Sequence, residues 1–156
     1  MTSLKKDNFV FMVPGEASSL AAIRWVVTRL ARASGLSDDQ VDQIEVAVDE
    51  VCANVIEHAY CSLLPKPPIH LEIQAGKEHF MIDVIDCGSA FDYDSFEDPK
   101  IPDHWLEGHE RGVGILLIRK CMDEVLYDVL PDARNRMRLI KNRATAPVPE
   151  AQPDPV

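Results

Sequence analysis

The chain reads as an α+β domain, a two-layer sandwich in which a mixed, mostly antiparallel sheet carries helices on one face. Three observations predict it. Two strand-like runs, Ile69–Ile73 and His79–Ile85, are separated only by Gln74–Glu78 and read as an antiparallel hairpin. A second pair, Glu124–Leu130 and Arg136–Ile140, flanks the turn at Pro131, Asp132 and Ala133. The remaining apolar residues recur at helical spacing, in the order strand, two helices, hairpin, loop, helix, hairpin.

Phe9–Val13 is expected to be the first strand, ended by Pro14 and Gly15. Leu20, Ile23, Val26, Val27 and Leu30 then mark a helix that Gly35 stops. Ser37 reads as the N-cap of a second helix, with Asp38 and Asp39 in the first turn where the helix dipole favours negative charge. Val41, Ile44, Val48, Val51, Val55 and Ala59 form its apolar stripe, and Pro65, Pro67 and Pro68 enforce its end. After the first hairpin, residues 89–111 are poor in aliphatics and rich in acids, with Pro99 and Pro102. A connection of that length suggests a lid or binding loop. A helix over 112–122 and the second hairpin complete a domain spanning 1–143. The proline-rich tail 144–156 is expected to be disordered.

A chain of 156 residues suits one domain with a sizeable core. Its 26 acidic and 16 basic residues give a net charge of -10, which repels nucleic-acid phosphates and anionic lipid headgroups. The first residues lack the apolar core of a signal peptide and no apolar run is long enough to span a bilayer, so a cytoplasmic location is expected. Cys52, Cys61, Cys87 and Cys121 show neither a C-x-x-C pair nor metal-ligand spacing and read as reduced thiols, mostly packing residues. Cys87 is the exception, lying inside the turn at Asp86, where oxidation would disturb any site built on that turn.

Three segments carry the chemistry. Glu50, Asn54 and His58 lie four residues apart on the second helix, in a stripe beside the apolar face that suggests the edge of a cleft. An amphipathic helix with merely solvated polar residues would show the same spacing. The apolar run Phe80–Ile85 ends in Asp86, Cys87 and Gly88, a carboxylate followed by a turn glycine. Further on, Glu110 and Arg111 lead through Gly112, Val113 and Gly114 into an apolar helix. This ordered set resembles the ATP-binding boxes of the GHKL ATPases, and within them the bacterial anti-sigma-factor serine kinases, from about Phe9 to about Lys141.

The resemblance implies ATP and magnesium as cofactors and assigns roles by position. Glu50 matches the general base and Asn54 the magnesium ligand, whose hard amide oxygen suits an ion that keeps several waters. His58 matches a position near the phosphates; a buried histidine bonded to backbone is the other reading. Asp86 resembles the carboxylate that accepts a hydrogen bond from the adenine amino group, and Gly88 would let the backbone approach the base. Ala90 stands where many relatives have a second glycine, and Arg134-Asn135 where the family often has Gly-Thr at the adenine pocket. Asn135 still offers a hydrogen bond there. Backbone N–H groups at Gly112, Val113 and Gly114 would receive phosphates at a helix N-terminus. Arg111 and Arg119 are candidates for the terminal phosphate, Arg119 reading better as a solvated arginine.

A kinase of this kind phosphorylates an anti-sigma-factor antagonist, sequesters a sigma factor and commonly pairs as a homodimer. The alternative is an ATP-binding module that sequesters a partner without catalysis; Glu50 favours the enzyme, because a binder needs no base. The catalytic half of a histidine kinase is disfavoured, since roughly eight residues precede the first strand, too few for phosphoacceptor helices. Coincidental motifs on an α+β domain are the remaining reading.

Overall fold

A computed structural model describes residues 7–97 and 113–144. Five strands, β1 (Asp7–Val13), β2 (Ile69–Ala75), β3 (His79–Asp86), β4 (Glu124–Val129) and β5 (Asn135–Asn142), form one sheet in the order β1-β2-β3-β5-β4. Every pairing is antiparallel. Three helices accompany it: α1 (Leu20–Ala33), α2 (Asp38–Asn54) and α3 (Val113–Cys121).

Register explains the layers. Alternate side chains point to opposite faces, so Phe11, Leu71, Val84, Met137 and Tyr127 line up across all five strands on the helix side, as do Phe9, Ile73, Ile82, Leu139 and Val125 one row along. Against them pack Ile23 and Val27 of α1, Val41, Ile44, Val48 and Val51 of α2, and Ile115 and Ile118 of α3, all buried. The opposite face carries charge pairs instead. Arg138 grips Asp83 through two bonds of 2.7 Å, and Arg136 grips Asp128 at 3.0 and 2.8 Å.

The punctuation between α1 and α2 is local chemistry. Gly35, at φ 86°, takes the left-handed conformation after α1, and the Leu36 and Gly35 N–H groups donate back to Ala31 and Arg32 carbonyls. Ser37 then caps α2 in a reciprocal capping box with Gln40. At the far end of α3, the buried Lys141 donates to the Cys121 carbonyl at 2.7 Å, a cation on a helix C-terminus supplied by β5.

One departure from the expected pattern matters for the site. The regular helix stops at Asn54 and a π-helical turn, Val55–Ala59, follows, closed by the Tyr60 N–H donating to the Val55 carbonyl. Tyr60 is thereby turned fully into the core, where its hydroxyl donates to the Pro68 carbonyl at 2.9 Å and accepts the Cys87 N–H at 3.2 Å. Ala59 is only partly buried, and His58 is exposed. A 3-10 turn, Ala17–Ser19, precedes α1, and β1, β2 and β5 run two or three residues longer than their expected spans. The expected tail and most of the expected lid lie outside the described residues.

Candidate functional site

A cavity of about 540 Å³ opens between the end of α2, the start of α3 and the ends of β3 and β5, a size in the range of small-ligand pockets. Val84, Ile115 and Met137 give it an apolar floor, while Asn54, His58 and Asp86 bring polar groups to its rim. Ala90 and Gly114 also line it. Segments far apart in the chain thus converge because α3 and β5 both pack against α2 and β3 pairs with β5.

Asp86 ends β3 on the helix side of the sheet and is only 6% exposed. Its Oδ1 accepts the Gly88 N–H at 2.8 Å and the Asn135 amide at 3.0 Å. No donor among the described residues reaches Oδ2. Asp86 lines the cavity, so that oxygen is available to accept a donor from a ligand bound there. Asn135 does offer a hydrogen bond at this end of the cavity: it is 2% exposed and donates its amide to Asp86 and to the Gly88 carbonyl, each 3.0 Å away. Its neighbour across the β3–β5 pairing is Asp86, so it orients the carboxylate rather than facing the cavity.

Gly88 is required for a reason the sequence did not show. A Cβ there would stand 2.5 Å from the Ala59 carbonyl, so the glycine admits the π-turn backbone. The Ser89 N–H completes this junction on the same carbonyl at 3.4 Å.

At the other end, Gly114 in the first turn of α3 crosses α2 so closely that a Cβ would lie 2.8 Å from Glu50 Oε2 and 3.5 Å from Asn54 Nδ2. The acid and the amide therefore meet one helix start. Burial, with the charges of Asp49 and Glu57, raises the Glu50 pKa above its ordinary value and makes it a better proton acceptor. Val113 opens α3 beside them, whereas Arg111 and Gly112 lie outside the described residues. His58 lines the cavity and is exposed, which removes the buried-histidine reading. No cluster of three acidic, histidine or cysteine residues suited to a metal occurs among the described residues. Asn54 alone suits magnesium, which takes few protein ligands when phosphates and water supply the rest.

Arg119 is not the solvated arginine expected. Its guanidinium stacks over Tyr93 and Phe96. Phe91, Phe96 and Tyr127, all lining the cavity, were missed as site residues: no periodicity marks the two phenylalanines in their loop, and Tyr127 reads as an ordinary strand residue of β4. All four cysteines are free thiols: burial pushes Cys52 up to about 12, while Cys61 and Cys87 are exposed rather than packed. Cys61, not Cys87, borders the cavity.

The fold and this site define a class. The histidine kinase-like ATPase domain matches residues 13–141, and the chain belongs to that family. Among its relatives is the serine-protein kinase RsbW of Halalkalibacterium halodurans, 30% identical over 126 residues, which cover 76% of this chain and 74% of that protein. The serine-protein kinase RsbW of Bacillus subtilis (strain 168) is 27% identical over 123 residues, covering 76% of each. In the crystal structure of the RsbU and RsbW domains of Rv1364c from Mycobacterium tuberculosis, the same fold recurs with a TM-score of 0.61 at 14% identity. That match covers 90% of this chain and 34% of the other. Among the described residues no helix is long and apolar enough to cross a membrane.

Proposed function

We propose that the protein is an ATP-dependent serine/threonine kinase that acts as an anti-sigma factor, phosphorylating an antagonist protein and sequestering a sigma factor. The observation that carries this reading is a cavity lined at one end by Asn54 and by Gly114, against which Glu50 packs, and at the other by Asp86, whose Oδ2 accepts from no described residue. Relatives named serine-protein kinase support the same chemistry.

Bound Mg-ATP supplies the terminal phosphoryl group and the metal charge that neutralises it. Asp86 Oδ2 accepts a hydrogen bond from the adenine amino group, held in place by Asn135 and the Gly88 N–H. A guanine would set its carbonyl against the carboxylate, two acceptors without a donor. Asn54 would offer its amide oxygen to magnesium, and His58, which also lines the cavity, would border the phosphates. Glu50 accepts the proton of the serine hydroxyl as its oxygen forms the new bond to phosphorus and ADP leaves. Ala90 lines the base end and Gly88 lets the π-turn close behind it; Gly112, Val113 and Gly114, with Arg111, would serve the phosphate end. The cytoplasm, where a sigma factor works, is the proposed location, and homodimer formation belongs to the same proposal.

Titration calorimetry with Mg-ATP and Mg-GTP tests the nucleotide assignment, and labelled ATP with serine-bearing antagonists encoded nearby tests the activity. ATP should bind more tightly than GTP, with Asp86→Asn narrowing the difference, and label should appear on an antagonist serine. Equal wild-type affinities would remove the adenine assignment. Absence of transfer to every such antagonist would leave a non-catalytic binding module.

A further inference from the structure

Residues 91–96 form a wall of the cavity although they belong to no helix or strand. Phe91, 44% exposed, and Phe96 line the cavity, their ring centroids 6.1 Å apart. Phe91 also meets Tyr127 edge-on at 6.4 Å, and Tyr93 lies 6.1 Å from Tyr127. Such rings attract one another, but a segment without ladder hydrogen bonds needs fastening.

Among the described residues, two side chains from other elements supply hydrogen bonds to it. Tyr127 Oη accepts the Phe91 N–H at 2.9 Å. Arg119 Nε donates to Tyr93 Oη at 2.9 Å and its Nη1 to the Phe96 carbonyl at 3.4 Å, while its guanidinium lies 4.6 Å over the Tyr93 ring and 5.4 Å over that of Phe96. Arg119 stands on α3, the helix whose first turn carries Gly114 beside Glu50 and Asn54. One side chain thus links the helix at the catalytic end to the aromatic wall at the other.

We propose that Arg119 is a positioning residue for nucleotide selection. It clamps residues 91–96 so that Phe91 and Phe96 form the wall against which the adenine ring lies, directing its amino group to Asp86. The inference rests on the reading of the cavity as an ATP site. The flat guanidinium stacks on a ring while donating from two nitrogens, which a lysine ammonium does not reproduce.

Calorimetric titration of Mg-ATP and Mg-GTP into the full chain tests it, comparing wild type, Arg119→Lys, Arg119→Ala and Tyr93→Phe. Both Arg119 variants should weaken ATP about tenfold and GTP less, narrowing the discrimination between them. Tyr93→Phe keeps the ring, loses one acceptor and should fall between. A merely structural arginine would weaken both nucleotides in parallel, so a parallel loss overturns the proposal. Wild-type affinity and discrimination in Arg119→Lys also overturn it. If Arg119→Ala fails to fold, the lysine and Tyr93→Phe variants still decide. A wild-type chain that binds no ATP overturns the cavity reading and this inference with it, whereas normal ATP binding with unaltered discrimination in Arg119→Lys overturns this inference alone.

Discussion

Glu50 sits where two demands conflict, because the base proposed for it would have to be ionised at neutral pH in a place that disfavours its charge. Burial, Asp49 and Glu57 raise its pKa in the folded chain, so the native state holds that proton more tightly than the unfolded state does. Stability from this group is therefore full below the unfolded pKa and is lost as pH rises through the folded one. Glu50→Gln, which cannot ionise, should be at least as stable as wild type in urea at pH 7. Any advantage should shrink as pH falls toward the ordinary carboxylate range. A glutamine variant less stable than wild type at pH 7 would contradict the assignment of a strained charge. That Glu50, Asn54 and Asp86 come close to one cavity was legible, because helical spacing and a strand-end turn mark them and the family resemblance joins them. Asn135 and Arg119 had roles that were not legible, since each is defined by a partner far along the chain: Asp86, 49 residues away across β3–β5, and Tyr93, 26 residues away in a loop.

Elements were read well where punctuation is local. Gly35 and Ser37 fixed the junction of α1 and α2, and both hairpins pair as their apolar runs required. The π-helical turn at Val55–Ala59 was not legible, because one extra residue per turn leaves the apolar pattern almost intact while rotating everything after it. Two glycines report how tightly this packing was set. At Gly88 an added Cβ would meet backbone, the Ala59 carbonyl, which cannot move without the turn. Gly88→Ala should cost about 1–3 kcal/mol, read as a lower denaturant midpoint with unchanged slope. At Gly114 the nearest atom is the end of the flexible Glu50 side chain. Gly114→Ala should leave the midpoint closer to wild type but displace Glu50 and slow phosphoryl transfer, as initial rates with labelled ATP would show. Equal midpoints for the two variants would contradict this difference between backbone and side-chain contact.

Across the whole molecule, composition and element order led to the α+β sandwich and to a charge unsuited to nucleic acid or lipid. The insertion of β5 between β3 and β4 was not readable from order alone, yet it is what places Asn135 beside Asp86. That topology gives the cavity two ends on separate elements, the proposed base recognition on β3 and β5 and the proposed chemistry on α2 and α3. Separate ends can be broken separately. The most direct measurement compares Mg-ATP affinity with phosphate transfer to an antagonist serine in Glu50→Gln and Asn54→Ala. Glu50→Gln should keep ATP affinity and lose transfer by about a hundredfold to ten-thousandfold, the usual contribution of a general base. Asn54→Ala should lose both Mg-ATP binding and transfer. Wild-type transfer rates in Glu50→Gln, or undiminished Mg-ATP binding in Asn54→Ala, would contradict the division of roles along α2.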